Sequence, residues 1–183
     1  MFHFALDQET ELKLLEDRHA EELFAAVDLN RAHLRQWLPF LDTTNSPADT
    51  RAFVQRTLNQ FLQHSGPTAG IWHRKRIAGV VGFNRINVDF RHCELGYWLG
   101  VEHQGKGIIT RACSAMTDHA FGELKLNRVE IRCAPGNTKS RAIPIRLGFK
   151  EEGCIRQTEW LYDHFVDNVV YGMLASEWIR PML

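Results

Sequence analysis

The stretch from Glu94 to Ala112 constrains the fold more than any other part of the chain. Its first half is an aromatic, apolar run of strand length, and its second half begins with glycines and continues with helical spacing of apolar residues. The helical apolar face consists of Ile109, Ala112, Cys113, Met116 and Ala120. The pattern therefore predicts a strand, a glycine loop and a helix in direct succession.

The predicted loop contains Gly105 and Gly107. Because glycine has no side chain, the backbone can turn sharply there, and another molecule can approach the main chain closely. The helix that follows begins with unpaired N–H groups and a partial positive charge of about half a unit. Such a corner binds phosphate, although a tight turn that binds nothing has the same local sequence. Neither the lysine-containing phosphate loop nor the three-glycine dinucleotide fingerprint is present.

A family resemblance is carried by the same stretch. Gln104-x-x-Gly107 after an aromatic strand resembles the acetyl-CoA diphosphate motif of the GNAT N-acetyltransferases. Glu94–Ala112 as a whole resembles the RimJ/RimL-type ribosomal-protein N-acetyltransferases, and the likeness extends over nearly the whole chain, most strongly over Gly79–Leu174. The resemblance implies the α/β GNAT fold, with a mixed and mostly antiparallel sheet, a splayed central pair of strands and acetyl-CoA as cosubstrate.

Length and composition predict a single catalytic domain over residues 1–183. The chain is 44% hydrophobic, which is enough for one proper core. Its 22 basic and 22 acidic residues balance, so we expect no nucleic-acid partner bound by bulk charge. The N-terminus is too short and polar for a signal peptide, and no run approaches about eighteen apolar residues, so we expect a cytoplasmic protein without a membrane partner.

Cysteine and histidine spacing argues against a metal site. The four cysteines lie about twenty residues apart without a Cys-x-x-Cys pair, and the nine histidines are scattered. We therefore predict no metal, and we expect reduced thiols in the core. The cysteines are Cys93, Cys113, Cys133 and Cys154.

The remaining chain alternates between strand and helix signals. The predicted order is one strand, then helices, then a run of antiparallel strands and then two strand–helix units. With this order, helices must cover both faces of a mixed sheet. The predicted strands are Glu11–Leu15, 69–73, 77–86, Cys93–Leu99, Arg128–Cys133, Phe149–Leu161 and Phe165–Leu174. The predicted helices run from Asp17 through Leu29, from Arg31 to Leu38, from Pro47 after a Ser46 cap to Leu62, over the Ile109–Ala120 face, and from Thr138 to Leu147.

Cofactor contacts are implied by the resemblance. Backbone at the end of the central strand would face the pantetheine arm, and the glycine loop would surround the diphosphate. The cofactor-binding residues so implied are Trp98, Leu99, Gly100, Val101, Gln104, Gly105, Lys106, Gly107, Ile108, Ile109, Thr110 and Asn137. The family motif ends in glycine or alanine where this chain has Ile109. That side chain matters little if it points into the core, since the phosphate contacts are made by the main chain.

Catalytic roles also follow from the resemblance. Asn137-x-x-Ser140 resembles the second cofactor motif, although both residues also fit ordinary turn and cap chemistry. Many members of the family have a tyrosine that acts as the general acid, and this chain has Pro144 at that position. Ser140 or water is therefore left to protonate the thiolate. The proline also predicts a short or kinked helix. Glu159 resembles the family's base in position, or it is a solvated carboxylate that attracts a cationic acceptor. The Leu99 N–H would stabilise the oxyanion.

The predicted reaction is direct transfer of acetyl to a primary amine without a covalent enzyme intermediate. By resemblance, the favoured acceptor is the N-terminal α-amine of a ribosomal protein. Two alternatives remain open, namely a small amine such as a polyamine or an aminoglycoside, and a non-catalytic acyl-CoA-binding module that regulates a partner. Strand edges near the C-terminus lead us to expect a homodimer.

Overall fold

A computed structural model describes residues 2–63 and 66–181 of the chain. The elements in chain order are β1 (His3–Ala5), β2 (Thr10–Leu14), a 3-10 helix (Asp17–His19), α1 (Ala20–Leu29), α2 (Arg31–Leu34), a 3-10 helix (Leu41–Thr43), α3 (Pro47–Leu62), β3 (Thr68–His73), β4 (Arg76–Asn87), β5 (His92–Leu99), a 3-10 helix (Val101–His103), α4 (Ile108–Gly122), β6 (Arg128–Cys133), α5 (Thr138–Arg146), β7 (Lys150–Leu161) and β8 (His164–Leu174). Within the described ranges, no helix is long and apolar enough to cross a membrane.

The chain divides into two compact units. The first comprises the residues up to Gly82 together with Tyr97–Ile108, and the second comprises Phe83–Gly96 together with the residues from Ile109 onward. Both β4 and β5 run from one unit into the other along the chain. The GNAT sheet predicted from the sequence is found as eight strands with mixed pairing, parallel between β5 and β6 and antiparallel in the other described pairs.

In the first unit the strands lie in the order β1-β2-β3-β4. The β3–β4 hairpin was predicted, and its turn holds Arg74 and Lys75 at φ values of 52° and 66°. Two consecutive positive φ values match the right-handed twist of the flanking strands, so the chain reverses in two residues. The hairpin is thereby confirmed without a glycine in the turn.

The core of the first unit lies between its strands and the helices α1 and α3. Pro47 occupies the first helical position of α3 after an extended Ser46, as the sequence predicted. The Thr50 hydroxyl donates to the carbonyl of Ala20 at 2.8 Å and ties α3 to the start of α1. The buried cluster consists of Leu15, Leu23, Val54, Trp72, Ile77 and Val80.

In the second unit the strands lie in the order β5-β6-β8-β7. Parallel pairing of β5 with β6 runs from His92–Arg128 to Glu94–Glu130 and then ends. The other edge of β6 stays paired with β8 as far as Cys133. Within this unit, therefore, the last three residues of β6 have a strand partner on one side only. This is the splayed pair that the resemblance implied.

The structure differs from the sequence predictions at one strand, one helix end and one cysteine. The short strand β1 was not predicted, because three residues are too few for alternation to be recognised. The helix α2 ends at Leu34 instead of Leu38, because the residues after it form turns in which the Trp37 and Leu38 N–H groups both donate to the Leu34 carbonyl. Cys154 is exposed on β7, whereas the other three cysteines are buried as expected, and all four are free thiols.

Candidate active site

The glycine loop adopts a backbone that side chains disfavour. Gly105 and Gly107 have φ values of +75° and +71°, in the left-handed region where glycine carries no steric cost. A Cβ built on Gly105 would meet no atom within 4 Å, so the main chain there is open to a ligand. Helix α4 begins directly after the loop, and Ile109 is only 8% exposed. The Ile109 side chain, which replaces the glycine or alanine of the family motif, therefore points into the core, as its place on the apolar face of the helix predicted.

Gly100 and Val101, two of the residues whose main chain was expected to face the pantetheine arm, already have partners for their N–H groups inside the first unit. The Gly100 N–H donates to the carbonyl of Ala78 at 2.8 Å. The Val101 N–H donates to Oδ1 of Asn30, also at 2.8 Å. Their carbonyl groups are engaged as well, since the Gly100 carbonyl accepts the His103 N–H at 3.0 Å and the Val101 carbonyl accepts the Gln104 N–H at 3.2 Å. A pantetheine arm therefore has only the second acceptor site of each carbonyl to bond at these two residues.

Side chains before and within the loop contact neighbouring residues of the first unit. The Gln104 amide nitrogen lies 2.9 Å from Nε2 of His33. Lys106 donates to the carbonyl of Glu102 at 3.0 Å, so its ammonium group is held beside the loop. An exposed cation at this corner adds to the attraction of the loop for a diphosphate.

Asn137 caps helix α5 in the second unit. Its Oδ1 accepts the Ser140 N–H at 3.1 Å, the usual contact of an N-cap asparagine. Among the described residues, no partner accepts from its Nδ2 group. The residue thus serves as a cap and also keeps donors for a ligand, which makes its two sequence interpretations compatible.

Ser140 lies beside Cys133 at the end of β6. The Ser140 hydroxyl and the Cys133 sulfur are 3.2 Å apart. Pro144, four residues later, has no N–H to donate to the Ser140 carbonyl, and α5 is a helix of nine residues. A short helix was predicted, and the proline lies buried within it. The serine hydroxyl therefore sits next to the part of β6 that has lost its β5 partner.

A partly buried network fixes α5 against β7 and β8. Arg141 donates from Nε to the hydroxyl of Tyr171 at 2.8 Å, and that hydroxyl donates to Glu151 at 3.1 Å. Burial raises the pKa of Tyr171, although the hydrogen bond from Arg141 opposes this. Because Arg141 directly follows Ser140, the network also holds the serine in position.

Glu159 is half-buried on β7 and is oriented by a side chain that the sequence did not suggest. Asn168 is 6% exposed on β8, and its amide donates to Oε2 of Glu159 at 3.1 Å. A bulge between Ile155 and Glu159 turns β7 just before the carboxylate, with Gln157 at a φ of 50°. The partner lies on the neighbouring strand, and no spacing rule links 168 to 159.

A second unforeseen contact involves Thr110, in the first turn of α4. Its hydroxyl oxygen accepts from Arg146 of α5 at 2.8 Å, and the residue is 2% exposed. The side chain is therefore engaged within the second unit, and the main-chain N–H is the group that remains for a diphosphate. A metal site was not predicted. Among the described residues, no group of three or more His, Cys, Asp and Glu side chains is placed to hold a metal ion.

Comparison with known proteins matches this chain to a family model and to relatives that are all named as acetyltransferases. A family model described as the acetyltransferase (GNAT) domain matches residues 10–150. The Bacillus subtilis (strain 168) protein YdaF, provisionally named a ribosomal N-acetyltransferase, is 37% identical over 97% of this chain and 98% of its own. The ribosomal-protein-serine acetyltransferase of Escherichia coli (strain K12) is 31% identical over 93% of this chain and 96% of its own.

A solved structure extends the comparison to the fold. The L7/L12 α-N-protein acetyltransferase RimL, in complex with coenzyme A and with a disulfide between coenzyme A and a cysteine, superposes with a TM-score of 0.91. It is 28% identical, and the match covers 94% of this chain and 98% of that one.

Proposed function

Because the chain belongs to the GNAT family of acetyltransferases, we propose that it transfers acetyl from acetyl-CoA to the N-terminal α-amine of a protein, with a ribosomal protein as the favoured acceptor. One observation carries the proposal. β6 continues for three residues after its pairing with β5 ends, and Ser140 and Asn137 lie at that end. Main-chain groups left without a strand partner require another one, and the amide-rich pantetheine arm of acetyl-CoA supplies it.

The diphosphate of the cofactor would lie on the glycine loop. Gly105, Lys106 and Gly107 offer main-chain N–H groups at the start of α4, where the helix carries partial positive charge. Gln104, Ile108, Ile109 and Thr110 complete this segment. The main chain of Trp98 and Leu99 would accompany the arm, together with the second acceptor sites of the Gly100 and Val101 carbonyls, and Asn137 would donate to it from Nδ2.

The reaction in this proposal is a single displacement at the thioester carbon. The neutral amine attacks the carbonyl, and the Leu99 N–H stabilises the oxyanion. Glu159, with one oxygen held by Asn168, takes the proton that the amine loses. The C–S bond then breaks, and the departing thiolate takes a proton from the Ser140 hydroxyl. Ser140 regains a proton from solvent, and Glu159 releases its proton to solvent. The products are an amide and free coenzyme A.

The acceptor class follows from the strength of the base available. An α-amine with a pKa near 8 is about a tenth neutral at pH 7, whereas a lysine near 10.4 is neutral in fewer than about one in a thousand molecules. A single carboxylate is an adequate base for the first and a weak one for the second. Relatives named for a ribosomal-protein serine, for alanine of ribosomal protein uS5 and for the α-amine of L7/L12 support the same choice.

Cys133 marks the thiol end of the site in this proposal. RimL forms a disulfide between coenzyme A and a cysteine, and Cys133 is the buried cysteine next to Ser140 here. Because Cys154 is an exposed free thiol, the test is made on Cys154→Ser, where we expect oxidised coenzyme A to add about one coenzyme A, and on Cys133→Ser combined with Cys154→Ser, where we expect none, as measured by intact mass.

The test uses acetyl-CoA with two peptides that differ only at the N-terminus and at one lysine position. One has a free N-terminus and no lysine, and the other has a blocked N-terminus and one lysine. Thiol release with the first and not the second is expected, and Ser140→Ala and Glu159→Gln should slow it by about 10²-fold or more. Thr158→Ala, on the exposed strand next to Glu159, is the matched control and should be unaffected.

Other outcomes decide between the alternatives. Turnover of polyamines or aminoglycosides in preference to both peptides would overturn the N-terminal assignment. Binding of coenzyme A without turnover of any amine would make the chain a binding module. Intact-mass spectrometry of ribosomal proteins, with and without the enzyme, tests the ribosomal acceptor.

The proposal includes a cytoplasmic homodimer. A ribosomal acceptor requires a location in the cytoplasm, and β7 is an edge strand of the second unit with its side chains largely exposed. Edge strands of this kind pair with other chains. Light scattering on the purified protein would give a dimer mass, and a monomer mass would overturn this part.

A further inference from the structure

Two side chains of the α1–α2 corner hold the segment that enters the glycine loop. Asn30 lies between the two helices, is 4% exposed, and accepts the Val101 N–H at 2.8 Å. His33, one helical turn later, lies 2.9 Å from the amide nitrogen of Gln104. Val101 and Gln104 bracket the 3-10 helix that precedes Gly105. Asn30 and His33 therefore contact the first residue of this 3-10 helix and the residue that follows its end.

Asn30 satisfies two main-chain groups that helix ends leave unpaired. Its Oδ1 accepts from the first N–H of the 3-10 helix, and its Nδ2 donates to the carbonyl of Ala26 near the end of α1. The approach is close, because a Cβ on Gly100 would come within 3.0 Å of that Nδ2. The glycine at position 100 is what allows the asparagine to reach the Val101 N–H.

The His33 contact has a defined direction. An amide nitrogen only donates, so Nε2 of His33 must be its unprotonated nitrogen and accept the hydrogen bond. The Gln104 side chain is thereby held at the first residue of the loop. Neither Asn30 nor His33 lies near the loop in sequence, since each is 71 residues from its partner.

We infer that Asn30 and His33 are positioning residues for the diphosphate of the cofactor, an inference that rests on the proposed function. They do not touch the reacting atoms. Asn30 holds the main chain at Val101 and His33 holds the side chain of Gln104, so that the N–H groups after Gly105 are directed at the diphosphate site before the ligand arrives. Preorganisation of this kind raises affinity by lowering the cost of ordering the loop.

The experiment compares two acetyl donors. Acetyl-CoA carries the diphosphate, whereas S-acetylpantetheine has the same thioester and arm and lacks it. We expect Asn30→Ala and His33→Ala each to raise KM for acetyl-CoA by about ten-fold, the effect of one lost hydrogen bond that leaves a polar group unsatisfied. KM for S-acetylpantetheine should stay within about two-fold of wild type, and kcat should change little with either donor.

Each outcome decides the inference. Equal effects on both donors, or no effect on either, would overturn it, since a general structural role would not distinguish them. If Asn30→Ala does not fold, the half-buried His33→Ala decides alone. Gln36→Ala is the matched control, because that side chain is exposed and, among the residues that the structure describes, bonds only to the Ala32 carbonyl of its own segment. Absence of turnover by the wild-type chain with either donor would refute the proposed function itself, before any variant is measured.

Discussion

Replacing Gly105 with alanine tests whether the loop conformation described here is the one that binds the cofactor. Gly105 has a φ of +75°, which L-residues adopt at a cost of about 1–2 kcal/mol. A Cβ at this position would meet nothing within 4 Å, so no clash adds to that cost. The expected penalty is therefore backbone strain alone, about 1–2 kcal/mol.

The strain lowers either the stability of the free protein or its affinity for coenzyme A, depending on whether the loop of the variant keeps its shape. If the loop of the variant keeps its shape without ligand, the free energy of unfolding falls by about 1–2 kcal/mol and affinity for coenzyme A is unchanged. If the loop relaxes, stability is kept and affinity falls by about 5- to 30-fold. At one fixed excess of coenzyme A, both cases give the same loss of stability relative to wild type, because binding adds to the free energy of unfolding.

The assay is urea unfolding of Gly105→Ala and wild type, each with and without coenzyme A. Gly122→Ala is the control, since Gly122 ends α4, also has open space around its Cβ position, and has no positive φ. There alanine should stabilise by about 0.4–1 kcal/mol through the unfolded chain. Equal stability of Gly105→Ala and wild type in the presence of coenzyme A would refute the assigned loop geometry.

Three further predictions concern stability. Gly79→Ala should destabilise by about 1–3 kcal/mol in urea unfolding, because a Cβ there would lie 2.2 Å from the carbonyl oxygen of Trp98, while a small shift of the melting midpoint would contradict this contact. Tyr171→Phe should cost about 0.5–1.5 kcal/mol, the net worth of one hydrogen bond, since Arg141 loses the hydroxyl and keeps the Pro135 carbonyl and Glu151 as acceptors, and calorimetry measures the loss. Burial lowers the pKa of His103 below its usual 6.5, so the folded chain binds fewer protons than the unfolded chain just below that value. The stability contributed by neutral His103 is therefore present above pH 6.5 and lost as the pH falls towards the folded pKa, and unfolding of His103→Gln across this range should show a flatter dependence.

Local pattern was sufficient to predict the centre of the chain. A strand, two glycines and an apolar helical face occupy consecutive residues, so their spacing alone gives β5, the loop and α4. The buried face of α4 contains the residues expected, including Ile109, whose burial follows from the helical period. Turn and cap chemistry likewise gave the β3–β4 hairpin and the start of α3, because these depend on residues within a few positions of one another.

Only the tertiary structure decided how the candidate site is supported. Asn30 reaches Val101, Arg146 reaches Thr110, and Asn168 reaches Glu159 across neighbouring elements. A hydrogen bond between distant segments depends on where the chain brings two side chains, and it leaves no periodic trace in either segment. The end of β5–β6 pairing after Glu94 is of the same kind, because the residues of both strands keep strand composition beyond the point where the strands part. The sequence thus determined the elements and the loop backbone, and folding decided which polar groups meet and which are left for a ligand.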